Sequence, residues 1–130
     1  MTFDCRARVL IADTNVGLQH GLYRRLLDSE ILADIVSDGR QALQQLHDST
    51  YAVVLVDLAL PQFAAERILD VIAQIPPRQR PVVIVLAAPG EARSLDVDVV
   101  QIVLRKPCDL TELSDMVQSC VRTMTVTPAA

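Results

Sequence analysis

The chain has 130 residues, the usual size of one domain, and it is 51% hydrophobic and 22% charged. A net charge of −4 and the lack of any run of basic residues argue against a nucleic-acid-binding surface, which needs clustered positive charge. This composition predicts a globular fold and suits a sheet that is covered on both faces.

The cysteines and the first residues of the sequence indicate the cellular compartment. Cys5, Cys108 and Cys120 are odd in number and lack the spacing of a metal site, which predicts free thiols in a reducing environment. The first residues contain no apolar signal-peptide region, and the longest apolar runs are too short to cross a bilayer. We therefore expect a cytoplasmic protein without a membrane segment.

Five short apolar segments rich in β-branched residues have the length of strands. They are Val9–Ala12, Ile31–Val36, Ala52–Asp57, Val82–Ala87 and Val99–Leu104. Segments with helical spacing of apolar residues separate the first four strands. Their apolar positions are Leu18, Leu22 and Leu26; Ala42, Leu43 and Leu46 after a candidate N-cap at Asp38; and Ile68, Val71, Ile72 and Ile75.

The last predicted helix follows Asp109, which together with Glu112 resembles a capping box. One face of this helix carries Leu110, Leu113, Met116, Val117, Cys120 and Val121. The segment Pro89–Asp98 has little apolar periodicity, so any helix there is expected to be short or frayed.

The alternation of strands and helices predicts a three-layer α/β domain, with a parallel sheet and helices on both faces joined by right-handed crossovers. We find no internal repeat and no linker inside the chain. One domain over residues 1–122 is expected, and residues 123–130 are expected to form a tail or the start of a linker.

Polar and charged side chains follow several of the predicted strands, and ligands of open α/β sheets bind beyond such strand ends. Asp13, Thr14 and Asn15 follow the first strand, Asp57 ends the third, and Lys106, the only lysine, follows the fifth. A structural role is open for each: any of residues 13–15 could cap the next helix, and Lys106 alone could be a surface residue. Asp57 is harder to explain in this way, because an unpaired buried carboxylate costs several kcal/mol in order of magnitude.

Taken together, two carboxylates and one ammonium at one sheet edge suit a divalent cation and a phosphoryl group. Mg²⁺ prefers a few oxygen ligands and retains several waters. A carboxylate can attack phosphorus to give an aspartyl phosphate, while a metal and a lysine neutralise charge on the transferred group.

The segments RVLIADTN, YAVVLVDLALP, VVIVLAAPGE and VLRKPCDLTEL resemble, in order, the blocks of the receiver domain of two-component response regulators. The resemblance implies a flavodoxin-like five-stranded parallel sheet of order 2-1-3-4-5. It implies Asp57 as the acceptor of a phosphoryl group from a sensor histidine kinase, Lys106 as the lysine that contacts this group, and Asp13, Asp57 and the carbonyl of Ala59 as Mg²⁺ ligands. It also implies that the Lys106–Pro107 peptide bond can be cis.

The sequence departs from the family pattern at the positions that bind the metal and read out the phosphoryl group. Thr14 replaces the second acid after the first strand, so Mg²⁺ binding is expected to be weakened. The hydroxyl expected at the end of strand four is missing at every candidate, Leu86, Ala87 and Ala88. Val103 replaces an aromatic residue. The loop after Pro61 reads Ala64-Ala65 where the family has an acidic residue and a glycine.

Two interpretations follow from these departures. The first is a receiver that is phosphorylated on Asp57 but switches differently, and the second is a receiver-shaped module that signals without phosphate. We favour the first because a pure scaffold does not need Asp13, Asp57 and Lys106 together. Neither interpretation makes the domain an enzyme.

Two other classes of protein fit the sequence less well. A flavodoxin-like binder of a nucleotide or flavin needs a phosphate-binding loop, and none of the four glycines lies in one. A hydrolase triad is not evident, since His20 and His47 both lie in helical segments.

The expected partners are a histidine kinase or phosphotransfer protein at the sheet edge, and a second copy or a target on the last strands and helix. Neither nucleic acid nor a membrane is expected as a direct partner.

Overall fold

The computed structural model describes residues 8–91 and 95–125 of the chain. Five strands form one parallel sheet of order β2-β1-β3-β4-β5. The strands are β1 Arg8–Ala12, β2 Leu32–Val36, β3 Val53–Asp57, β4 Val82–Ala87 and β5 Ile102–Arg105. The predicted fold class and strand order are therefore confirmed.

Helices cover both faces of this sheet and bury a separate apolar core on each. The helices of the described ranges are α1 Val16–Asp28, α2 Gly39–Asp48, α3 Ala64–Ala73 and α4 Leu110–Thr125, with a 3₁₀ turn at Pro77–Gln79. One core packs the sheet against α2 and α3, and the other packs it against α1 and α4. No helix within residues 8–91 and 95–125 has the length and apolarity needed to span a membrane.

Strand β3 shows how the two cores set the direction of Asp57. All five of its residues are buried. Val54 and Val56 belong to the core under α2 and α3, whereas Val53 and Leu55 belong to the core under α1 and α4. Because side chains alternate along a strand, the carboxylate of Asp57 lies on the α1 and α4 side, where β3 ends.

The helix starts follow local capping chemistry. Asp38 caps α2 as predicted, since its carboxylate accepts a hydrogen bond from the backbone N–H of Gln41 at 2.8 Å. Helix α4 begins at Leu110, directly after Asp109, and buries Leu113, Val117 and Val121. It continues to Thr125, beyond the predicted domain end, and residues 126–130 and Cys5 lie outside the described ranges.

The fifth strand is shorter at its start than the predicted Val99–Leu104, because two of those residues are buried without pairing in the sheet. The backbone N–H groups of Val99 and Val100 donate to the carbonyl of Asp96, at 3.0 and 2.8 Å. Both side chains pack into the core under α2 and α3. The apolar run therefore consists of buried turn residues followed by a strand. Periodicity alone does not distinguish a buried turn from a strand.

The segment before this turn contains no helix among its described residues, 89–91 and 95–98, and residues 92–94 lie outside the description. Arg80 anchors the turn that precedes β5. Its guanidinium donates to the carbonyls of Ala73 at 2.6 Å, Ile75 at 2.8 Å and Asp98 at 3.3 Å. Arg80 thus joins the carboxyl end of α3 to the connection between β4 and β5.

We expect Arg80→Ala to lower the free energy of unfolding by about 1 to 3 kcal/mol, because it leaves helix-end carbonyls without a charged donor. Urea denaturation followed by circular dichroism measures this loss. Arg78→Ala removes an exposed arginine from the neighbouring 3₁₀ turn and is the matched control. Equal losses in the two variants would contradict the anchoring role.

Candidate functional site

Asp57 and Lys106 form the centre of the site. The Nζ atom of Lys106 lies 2.7 Å from both Oδ1 and Oδ2 of Asp57. The sheet sets this geometry: Asp57 ends β3 in register with Leu86 of β4, and the backbone N–H of Lys106 donates to the carbonyl of Ala87 at 2.9 Å. The Lys106–Pro107 peptide bond is cis, as the resemblance implies.

Asp13 lies at the same sheet edge, and the structure settles which residue caps α1. The cap is Asn15, whose side chain accepts from the backbone N–H of Leu18 at 3.0 Å. Asp13 is therefore not needed as a cap and is only 1% exposed. Its Oδ1 accepts from the N–H of Asn15 at 2.8 Å, whereas its Oδ2 is buried without a hydrogen-bond partner in the part of the chain described.

Burial raises the pKa of Asp13, and the nearby carboxylate of Asp57 raises it further; the hydrogen bond from Asn15 and the charge of Lys106 act in the opposite direction. The loop that carries Asp13 is fixed by Gln19, a buried residue of α1, whose amide donates to the carbonyl of Asp13 and to the hydroxyl of Ser37 at 3.0 Å. Gln19 was not among the sequence candidates, because a glutamine inside a helix carries no motif.

These groups line one cavity of about 440 Å³ between the start of α1, the end of β4 and the start of α4. Its lining consists of Asp13, Asn15, Leu18, Asp57, Leu86, Pro89, Lys106, Pro107 and Cys108. The structure thus brings three of the predicted residues, Asp13, Asp57 and Lys106, into one place. Asp57 is 4% exposed, and it contributes to the lining of this cavity.

The donor set fits Mg²⁺. The unpartnered Oδ2 of Asp13 is the kind of buried acceptor that a cation satisfies, and Asp57 lies close enough to raise the pKa of Asp13. Ala59 is exposed beside them, and its N–H donates to Oδ1 of Asp57 at 2.8 Å. Residues 8–91 and 95–125 contain no cluster of three or more His, Cys, Asp or Glu around one point, so waters would complete the shell, as Mg²⁺ permits.

None of the three positions predicted as atypical switch residues, Thr14, Ala87 and Val103, lines the cavity of Asp57. Thr14 is exposed next to Asp13. Ala87 and Val103 line a separate groove of about 360 Å³ together with Leu58 and Arg105. The strand-four residue inside the cavity of Asp57 is Leu86, one of the three candidates that the sequence left open. A bulky apolar side chain therefore lies at the strand-four position nearest the carboxylate.

A family model described as the response regulator receiver domain matches residues 9–118. The chain belongs to this family. The comparison of this chain with curated proteins found no match. The identity of the chain as a receiver agrees with the order of its strands and with the position of Asp57 at the end of β3.

Solved structures show the same fold. A CheY-like receiver domain from Methylobacillus flagellatus is 20% identical, with a TM-score of 0.72 over 87% of this chain and 97% of that one. The signal receiver domain of a putative Luxo repressor protein from Vibrio parahaemolyticus is 24% identical, with a TM-score of 0.72 and 92% of both chains covered. Chemotaxis response regulator CheY4 of Vibrio cholerae is 16% identical, with a TM-score of 0.72 over 87% and 97%.

The raised pKa of Asp13 gives a prediction for stability. A carboxyl group whose pKa is higher in the folded than in the unfolded state favours folding at low pH, and this contribution is lost as the pH rises through the folded-state value. In EDTA at pH 7, Asp13→Asn is therefore expected to melt at a higher temperature than the wild type, and the difference should shrink below the ordinary aspartate pKa of 3.8.

Asparagine can still accept the hydrogen bond from Asn15, so Asp13→Asn changes the charge with little change in shape. Asp28→Asn, at an exposed acid of α1, is the control for the change in net charge. Melting curves at several pH values measure the effect. A difference between Asp13→Asn and wild type that does not vary with pH would show that titration of Asp13 is not its cause.

Proposed function

We propose that this receiver accepts a phosphoryl group on Asp57 from a sensor histidine kinase or phosphotransfer protein, in a reaction that depends on Mg²⁺. The observation that carries the proposal is the position of Lys106, whose ammonium contacts both oxygens of Asp57 inside the cavity that also holds Asp13. The same ammonium is placed to contact the oxygens of an incoming phosphoryl group.

The chemistry is an in-line displacement. An oxygen of Asp57 attacks phosphorus while the P–N bond to the donor histidine breaks, and the departing imidazole nitrogen retains the electron pair and takes up a proton. Lys106 neutralises charge on the transferred group and orients it. Bound Mg²⁺ would supply further neutralisation of the phosphoryl oxygens.

Asp13, Asp57 and the carbonyl of Ala59 are the proposed Mg²⁺ ligands. Asp13 offers its unpartnered Oδ2, and Asp57 shares its oxygens with Lys106, so a cation competes with an ammonium for them. Thr14 is uncharged, whereas a second acid at this position would add a negative charge to the metal site. The affinity for Mg²⁺ is therefore expected to be low.

The second candidate function is a protein-interaction module that works without phosphate. Leu86 inside the cavity favours it, because an apolar side chain cannot donate a hydrogen bond to a phosphoryl group. The residues in the adjoining groove, Ala87 and Val103, also lack a hydroxyl or an aromatic ring. In this case the signal would come from the surface of the domain alone.

A covalent test separates the two functions. The first predicts one phosphoryl adduct on Asp57 after treatment with acetyl phosphate and Mg²⁺, and the second predicts none.

Under either function the domain is a signalling partner and not an enzyme, and its proposed location is the cytoplasm. Homodimerisation through the last strands and α4 stays a prediction, for which size-exclusion chromatography with light scattering is the test.

A further inference from the structure

A second cavity lies between α2 and α3, away from Asp57. It has a volume of about 500 Å³ and is lined by Arg40, Leu43, Gln44, His47 and Arg67. The four residues from α2 are spaced at i, i+3, i+4 and i+7, so they share one face of that helix. No residue of this lining belongs to the cavity of Asp57.

A close contact between the two helices lies beside its two arginines in the sequence. A Cβ atom built on Gly39 would lie 2.7 Å from the Cβ of Ala64, so the glycine allows the first residues of α2 and α3 to meet. Arg40 follows Gly39 directly, and Arg67 lies one helical turn after Ala64. Arg40 and Arg67 therefore follow this contact on their own helices, and both residues line the same groove.

The groove is positive on a protein whose net charge is −4. None of its lining residues is acidic. Within residues 8–91 and 95–125, the side chains of Arg40 and Arg67 form no ion pair with a carboxylate. Positive side chains near the start of a helix are disfavoured by the helix dipole, so the dipoles of α2 and α3 do not favour arginine at these two positions.

Asp48, at the far end of α2, contacts two of the lining residues. It accepts from the amide of Gln44 at 2.8 Å and lies 3.1 Å from Nδ1 of His47. Asp48 is therefore engaged by Gln44 and His47 and forms no ion pair with Arg40 or Arg67.

We propose that this groove binds a phosphate group, either free or as an ester. Each guanidinium presents a planar fork of donors that matches two phosphate oxygens. A phosphate has enough terminal oxygens to engage two forks from two helices, whereas one fork already occupies both oxygens of a carboxylate. Leu43 adds an apolar wall, and the volume exceeds what inorganic phosphate fills, so an organic phosphate fits.

The test is a titration of the ¹⁵N-labelled chain with inorganic phosphate, AMP, adenosine and acetate at constant ionic strength. Phosphate and AMP are expected to shift the backbone amides of α2 and α3 around Arg40 and Arg67, and adenosine and acetate are not. Tighter binding of AMP than of phosphate would identify an ester as the ligand, and equal binding would identify the phosphate group alone.

Arg40→Gln and Arg67→Gln should each weaken the binding at least tenfold. Arg24→Gln removes an exposed arginine of α1 with the same change in net charge, and should leave the binding unchanged. A circular dichroism melt confirms that each variant is folded. Equal binding by all variants, shifts confined to the Asp57 cavity, or no shift with phosphate or AMP would overturn the proposal. Because this groove is separate from Asp57, its failure would leave the phosphorylation proposal standing.

Discussion

Incubation of the protein with acetyl phosphate and Mg²⁺ is expected to increase its intact mass by one phosphoryl group. The reason is geometric: Asp57 is almost fully buried, yet both of its oxygens face Lys106 inside a cavity that admits a small donor. Acetyl phosphate supplies the phosphoryl group by cleavage of its P–O bond, and acetate leaves. Mass spectrometry of the undigested protein counts the adducts.

Asp57→Asn is expected to abolish the adduct, because an amide oxygen is a poor nucleophile although it can still accept the hydrogen bond from Ala59. Asp70→Asn changes an exposed carboxylate of α3 by the same charge and should retain the full adduct. Absence of the adduct in the wild type at every Mg²⁺ concentration would favour the phosphate-independent module. An adduct that persists in Asp57→Asn would show that another group is the acceptor.

The parallel sheet could be predicted from the sequence because β-branched apolar runs alternate with helical spacing throughout most of the chain, and its strand order was implied by the resemblance to receiver domains. The prediction was weakest between β4 and β5, where Val99 and Val100 are apolar and buried but belong to a turn. Two adjacent apolar residues indicate burial but do not distinguish a strand from a turn. The hydrogen bonds to Asp96 define the turn, and they depend on tertiary contacts such as those of Arg80.

The central residues of the site could also be predicted, since carboxyl ends of parallel strands meet at one edge. What the sequence left open was the residue at the end of β4. The candidates Leu86 and Ala87 are adjacent, and adjacent residues of a strand face opposite sides of the sheet. Only the register, which pairs Leu86 with Asp57, places Leu86 in the cavity and Ala87 in the neighbouring groove.

The N-cap of α1 could not be predicted from the sequence either. Asp13, Thr14 and Asn15 are all able to cap α1, and their order in the sequence does not choose between them. The structure assigns the cap to Asn15, which leaves Asp13 with an unpartnered oxygen and Thr14 exposed. The same local geometry therefore stabilises the helix and leaves a buried carboxylate oxygen of Asp13 without a hydrogen-bond partner in the described part of the chain.

Replacing Thr14 by aspartate is expected to strengthen Mg²⁺ binding. Two unit charges about 4 Å apart attract by about 4 kcal/mol at an effective dielectric near 20, and the cation is divalent. Dehydration of the ion and repulsion among three carboxylates offset most of this gain. A net gain of roughly 1 to 2 kcal/mol corresponds to roughly tenfold tighter binding.

The chain contains no tryptophan, so Mg²⁺ binding is best followed by calorimetry or by NMR. Thr14→Asn keeps a polar, uncharged side chain and is the matched control, with an affinity expected close to that of the wild type. In EDTA, Thr14→Asp should melt at a lower temperature than Thr14→Asn, because it adds a carboxylate next to Asp13 in the chain, and Mg²⁺ should reverse this order. Equal Mg²⁺ affinities in Thr14→Asp and Thr14→Asn would mean that charge at this position does not limit the metal site.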